Sequence, residues 1–194
     1  MPLPAFPPIE TERLSVRPVV ASDLPALLEV NRDPEVTRYL PYDAWTGAAE
    51  GEAWFARMEK LVAGGDACQF VIVERDLDRA IGTCLVFRYS TRDQLAEIGY
   101  VLGRASWGRG YMLEALTALI GAALDSAHLR RLEANVAGPN LASLKLLERL
   151  GFVHEGLRRE RWIARGEVTD CAVFGLLRAD WEARRGRQPQ PATS

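Results

Sequence analysis

The residues with the clearest chemical potential are two glycines around an arginine, Gly108-Arg109-Gly110, set between an apolar run ending at Leu102 and a helical pattern opening near Tyr111. Glycine lets a backbone turn tightly and approach a ligand closely. The first amides of a helix have no partner within it, and with the positive end of the helix dipole they favour an anion such as pyrophosphate. A G-x-G alone is equally the mark of an ordinary turn. A dinucleotide fingerprint is excluded, because its third glycine would fall where Leu113 stands, and no Gly-Lys-Ser/Thr of a P-loop occurs. Metal chemistry has little support, and no metal is expected. Cys68, Cys84 and Cys171 are widely spaced in apolar stretches without a C-x-x-C pair, which reads as buried structural thiols in a reducing compartment. His128 and His154 have no neighbours at ligand spacing.

The surrounding pattern indicates which elements position this turn. Arg13 to Arg17 alternates like a half-buried strand that Pro18 limits, and Ser22-Asp23 offers a helix N-cap before Leu24, Leu27 and Leu28. A second helix is expected from Thr46 towards Ala63, acidic early, basic late and stopped by Gly64-Gly65. Gln69–Glu74, Ala80–Tyr89 and Ala96–Leu102 read as strands joined by short polar connectors, hence an antiparallel meander. From Tyr111 the positions Leu113, Leu116, Leu119, Ile120, Ala123 and Leu124 form a helical stripe. A strand over Leu132–Val136 follows, then a helix carrying Leu141, Leu144, Leu147 and Leu150 that Gly151 stops. Strand, helix, strand at this spacing predicts a right-handed crossover and one parallel pair. Arg158–Ile163 and Val168–Leu177 close the chain as a hairpin around Ala164-Arg165-Gly166. The expected class is α/β (α+β), a mixed, mostly antiparallel sheet with flanking helices.

The 194 residues are 48% hydrophobic and 26% charged, enough for one ordinary domain that buries roughly 70% of its unfolded surface without disulfide or metal. We expect a flexible N-terminal segment over 1–10, a single domain over 11–182 and a frayed tail over 183–194. The formal charge of −2 gives no general reason to expect nucleic-acid binding. The Pro-rich start has no basic or apolar signal region, and no run approaches a membrane span, so a cytoplasmic location and no membrane partner are expected.

Several ordered motifs, taken together, carry a resemblance. They are Arg13-Leu14-x-Val16-Arg17-Pro18; Ala96-Glu97-Ile98-Gly99-Tyr100-Val101-Leu102; Trp107-Gly108-Arg109-Gly110-Tyr111; Glu114-Ala115-Leu116; Arg131 to Val136; Asn140-x-x-Ser143; Leu150-Gly151-Phe152; and Glu155 to Arg158. With Asp170 and Trp181 they resemble the GCN5-related N-acetyltransferase superfamily over about Thr11 to Trp181, and within it the branch holding the ribosomal-protein alanine N-acetyltransferases. One departure is Ala105, where the family's turn begins with Gln or Arg; Arg104 stands beside it.

The resemblance implies acetyl-CoA as cosubstrate and a peptide or protein N-terminus, or a small amine, as acceptor. It allows a homodimer. It implies a cofactor site made of Tyr100, Val101 and Leu102, whose backbone would pair with pantetheine, of the Trp107–Tyr111 turn, and of Asn140, which would hydrogen-bond pantetheine or simply cap the next helix. Lys145, like Arg109 and Arg149, is a candidate for the phosphates or a solvated charge. Ser143 matches the position placed near the departing sulfur, or is a small residue at a crowded helix face. Glu97 would act as base through water, or is a solvated strand residue. The acceptor cleft would be built from Tyr39, Trp45, Trp54, Phe87 and Trp162. Two rival readings stand beside an N-terminal acceptor: a small amine, amino acid or antibiotic as substrate, and a non-catalytic CoA-binding sensor.

Overall fold

The computed structural model describes residues 2–4, 6–164 and 166–186. Among them eight strands form one sheet in the order β1-β2-β3-β4-β5-β6-β8-β7. The chain runs β1 (Ile9–Glu10), β2 (Leu14–Pro18), α1 (Leu24–Asn31), α2 (Pro34–Thr37), α3 (Ala48–Ala63), β3 (Ala67–Glu74), β4 (Arg79–Ser90) and β5 (Leu95–Leu102). Then come α4 (Tyr111–Ser126), β6 (Arg131–Ala137), α5 (Leu141–Leu150), β7 (Val153–Ala164), β8 (Glu167–Leu177) and α6 (Arg178–Arg185). The antiparallel meander and the hairpin are as expected, and the crossover through α4 makes β5 and β6 the parallel pair. Arg165, of the expected turn Ala164-Arg165-Gly166, and residues 187–194 of the expected tail lie outside the described residues.

Both faces of the sheet are used, which explains the unbroken apolar run Phe70–Val73 in β3: all eight residues of the strand are buried. On one face Leu116, Leu119, Ile120, Ala123 and Leu124 of α4 meet Phe70, Ile72, Val86, Ile98, Leu132 and Phe174 in the main core. On the other, α1, α3 and the loop before α3 bring Leu27, Trp54, Met58 and Trp45 onto Val71 and Val73. Beyond that cover, β6 alternates buried Leu132, Ala134 and Val136 with half-buried Arg131, Glu133 and Asn135, leaving a polar surface on the second face.

Three local features differ from the sequence reading. Asp23 does not cap α1; its carboxylate accepts from the Arg17 guanidinium at 2.7 and 2.9 Å and from the Val20 amide at 2.9 Å. Ahead of β2, Leu3 and Phe6 are buried in the main core and Ile9–Glu10 pair with β2. Helix α6 continues to Arg185, its Trp181 buried and its Arg184 donating to the Arg149 carbonyl at the end of α5.

The start of α4 is fastened to the turn before β2 across about a hundred residues of sequence. The Glu114 carboxylate accepts from the Thr11 hydroxyl (2.6 Å), the Arg13 amide (2.9 Å) and Arg13 Nε (2.7 Å). Arg13 Nη1 donates to the Arg109 carbonyl at 2.9 Å, so one guanidinium holds both the helix and the turn before it. Burial alone would raise the pKa of Glu114; the donations from Thr11 and Arg13 more than offset it and hold the carboxyl below its ordinary value. A carboxyl depressed in the folded state adds stability that is present above its unfolded pKa of about 4.3 and disappears as pH falls through the folded value. Glu114→Gln should therefore lower the urea midpoint at pH 7, with the gap between the two proteins narrowing as pH falls below about 4.3. A gap between their midpoints that stays constant from pH 7 to 3 would contradict this account.

Candidate active site

The central feature is the separation of β5 from β6. They pair at Leu95↔Arg131, Ala96↔Leu132 and Glu97↔Glu133, and then stop. Ile98 to Leu102 continue paired to β4, and Ala134 to Ala137 paired to β8, so each strand keeps its outer neighbour while a gap opens between them. Tyr100, Val101 and Leu102 line one wall of that gap with backbone free of a β6 partner. The indole of Trp107, itself half exposed, donates Nε1 to the Leu102 carbonyl at 2.7 Å and closes the end of the wall.

At that end lies the glycine turn. Gly108 and Gly110 have φ of +74° and +78°, a conformation that a side chain disfavours. A Cβ on Gly108 would meet nothing within 4 Å, and one on Gly110 only the tip of Arg13, so the space over the turn is open. The first intrahelical bond here is Glu114 N–H to the Gly110 carbonyl, which leaves the amides of Tyr111, Met112 and Leu113 without helical partners. An open cradle of unpaired helix-start amides fits a pyrophosphate. The Arg109 side chain is not free for it: it pairs with buried Glu74 at 3.3 Å and stacks on Tyr111 at 4.6 Å, opposite Arg13 at the same distance. The Tyr111 hydroxyl donates to Glu74, and that bond raises the phenol's pKa. Arg104, beside Ala105, is exposed and leans towards Asp33 at 3.8 Å.

The other wall and its loop bring Asn140 and Ser143. Asn140 caps α5, its Oδ1 accepting from the Ser143 amide at 3.2 Å, so capping is observed and its amide nitrogen remains for a ligand. Ser143 is half buried, and the hydroxyl of Tyr100 lies beside it across the gap. Lys145 and Arg149 are exposed on α5.

Glu97 and Glu133, registered partners of the last parallel pair, share the polar second face. Glu97 is not a solvated strand residue. It is 8% exposed and ion-paired to Arg88 at 2.6 Å. Arg88 adopts a left-handed φ of +52° within a β4 bulge, which turns its side chain onto Glu97. Glu133 is held by Arg131 at 2.8 Å, and Arg131 also clamps Glu155. Of the five aromatics proposed for an acceptor cleft, Trp45 and Trp54 belong to the core under α3. Phe87 is registered opposite Glu97, and the Tyr39 hydroxyl donates to the Pro139 carbonyl at 3.4 Å, reaching from beyond α2 to the loop before α5. Trp162 is half buried on β7. The sequence reading gave no role to Arg88, Glu133 or the Tyr100 side chain; strand alternation could have placed Glu133 beside Glu97, whereas the bulge that delivers Arg88 leaves no such signal.

All three cysteines are buried, and burial raises their pKa values, that of Cys68 to about 11. Among the described residues no three His, Cys, Asp or Glu side chains gather as a metal site, and no helix is long and apolar enough to cross a membrane.

Comparison with known proteins agrees with this architecture. The model of the acetyltransferase (GNAT) domain family matches residues 13–153. An uncharacterized N-acetyltransferase, p20, of Bacillus licheniformis is 36% identical over 171 residues, 88% of this chain and 96% of that protein. The ribosomal protein uS5-alanine N-acetyltransferase of Escherichia coli K12 is 36% identical over 88 residues, 45% of either chain. The structure of RimL, a ribosomal L7/L12 α-N-protein acetyltransferase in complex with coenzyme A, superposes with a TM-score of 0.80 at 22% identity, covering 89% of this chain and 98% of that one, a likeness of fold. A splayed parallel pair ending at an open glycine turn, on a chain matched by the family over most of its length, makes this protein a GNAT-family N-acetyltransferase that uses acetyl-CoA.

Proposed function

We propose that the chain acetylates the N-terminal α-amine of a protein, with a ribosomal protein as the first candidate. The pyrophosphate of acetyl-CoA sits on the Gly108–Tyr111 amides, with Arg109 contributing its backbone. The pantetheine runs along Tyr100–Leu102 as a pseudo-strand and takes a hydrogen bond from Asn140, and Lys145 lies within the reach of the phosphates. An amide of the Tyr100–Leu102 wall meets the developing oxyanion, where a preorganised donor matters most. Ser143 donates to the departing sulfur.

The observation that carries the choice of acceptor is the state of Glu97. One of its carboxylate oxygens is taken by Arg88, so an amine reaches it through water. Neither histidine substitutes: His128 is exposed before β6 and His154 stacks on Phe174 from the outer strand. A site with so modest a base suits a nucleophile that is already partly neutral. An α-amine, with a pKa of about 7.7–8.0, meets that need near pH 8, whereas a lysine at about 10.4 is less than about 1% neutral there. The partial match to the uS5-alanine enzyme supports the same choice.

Acetyl-CoA at about a hundredfold excess over its Kd should stabilise the native state by roughly 2.7 kcal/mol, read as a rise in Tm. Gly110→Val, which forces a branched side chain onto a backbone of φ +78°, should remove most of that rise in a protein that still folds. A full thermal shift in the folded variant would put the pyrophosphate elsewhere. For the acceptor, peptides with a free N-terminus and a blocked lysine should be acetylated faster than the reverse pair. Faster turnover of the lysine peptides, or of a small amine such as spermidine, would sink the N-terminal reading.

A further inference from the structure

Buried polar atoms in folded proteins are nearly always hydrogen-bonded, and an exception calls for a reason. Among the described residues two buried side-chain polar atoms have no partner: Trp181 Nε1, where α6 packs on the core, and Tyr100 Oη. The second lies where β5 and β6 have parted, three residues past the last parallel pair. The Tyr100 ring rests against the main core, and its hydroxyl lies beside that of Ser143 without the geometry of a hydrogen bond. Burial pushes the phenol's pKa up to about 12, with Ser143 pulling slightly the other way. The hydroxyl is thus an O–H donor at every working pH, buried in the gap and lacking an acceptor.

We propose that the Tyr100 hydroxyl is a second hydrogen-bond donor, beside Ser143, to the sulfur of acetyl-CoA as it leaves. This rests on the reading of Ser143 given above. The amine nitrogen forms its bond to the acetyl carbon and passes its proton to water. The carbon–sulfur bond then breaks and its electron pair goes to sulfur, which departs as thiolate and is protonated from solvent. Tyr100 keeps its own proton, because transfer from a phenol of pKa about 12 to a thiolate whose acid is near 8.5 runs strongly uphill. Its contribution is charge stabilisation. A thioester sulfur is a poor acceptor and a thiolate a good one, so the bond is made chiefly in the transition state and acts on kcat rather than on binding.

Tyr100→Phe tests this, since it removes one oxygen and keeps the ring. In single turnover at saturating acetyl-CoA the rate should fall about tenfold, less than the 10²–10³ typical of an oxyanion donor because sulfur accepts more weakly. The Kd for acetyl-CoA should change less than about twofold, since the bond forms mainly after binding, and the Tm of the free protein should not fall. A second readout needs no turnover: the thiol of bound CoA, followed by the ultraviolet absorbance of its thiolate, should ionise at higher pH in the variant. An unchanged rate with an unchanged thiol titration overturns the proposal, and so does a loss confined to acetyl-CoA affinity, which would put the hydroxyl on pantetheine. Ser143→Ala, measured in parallel, separates the two readings. If it moves rate and titration while Tyr100→Phe moves neither, only the role of Tyr100 fails. If it moves neither, the reading of Ser143 fails and this inference with it.

Discussion

Two neighbouring parallel strands that stop pairing after three residues set the terms for the rest of this molecule. The separation is tolerable because neither strand depends on the other for support: β5 stays bonded to β4 along its length, and β6 to β8. The backbone groups facing the gap are then the part of the sheet with unmet hydrogen-bonding capacity, which costs free energy unless water or a ligand supplies partners. An extended polyamide such as the pantetheine arm has the right spacing of donors and acceptors to do so. The same gap exposes the two strands' side chains at the opening. On the α4 side these include the Tyr100 phenol and Ser143, and on the opposite side Glu97 and Glu133.

The gap would be of little use if its end were loose. The glycine turn stands there, and its left-handed residues fix the backbone but do not by themselves hold it in place. Arg13 does so by binding Glu114 and the Arg109 carbonyl at once, while Tyr111, between the two guanidinium groups, drives its hydroxyl into Glu74. Charges of both signs gather in this knot and largely satisfy one another. The open side of the turn is therefore left to unpaired amides rather than to a free arginine, which favours a ligand recognised by its oxygens and their geometry. The small size of Ala105 is consistent with a turn whose holding is done by backbone.

Electrostatics on the amine side follow a similar economy. Glu97 and Glu133 would repel each other if both were bare, and each is instead given an arginine, Arg88 from a bulge and Arg131 from its own strand. Arg131 holds Glu155 as well, its guanidinium raised and the carboxyl lowered in pKa chiefly by that bond. The result is a polar face in which carboxylates are present but partnered. Such a face can orient an ammonium or a water.

Much of this was legible in the chain itself. Short-range rules decide helix ends, strand alternation and the crossover, so the positions of α4, β5, β6 and α5, the glycine turn and the cap at Asn140 could be read from local spacing. The ordered motifs that place the chain among the GNAT acetyltransferases are likewise a property of sequence. What only the tertiary structure decided are the relations between distant residues. Asp23, a sound cap by local rules, is claimed by Arg17, because a guanidinium six residues back competes better than the helix amides. Leu3 and Phe6 look like a loose leader until the core offers them a place. Arg109, a candidate phosphate ligand on paper, pairs with Glu74 from β3, and Trp45 and Trp54, candidates for the cleft, lie in the core under α3. Arg88 reaches Glu97 through a bulge that no local pattern announces. In each case the deciding partner lies on another element, and pairing energy across elements depends on a register that periodicity along one segment does not contain.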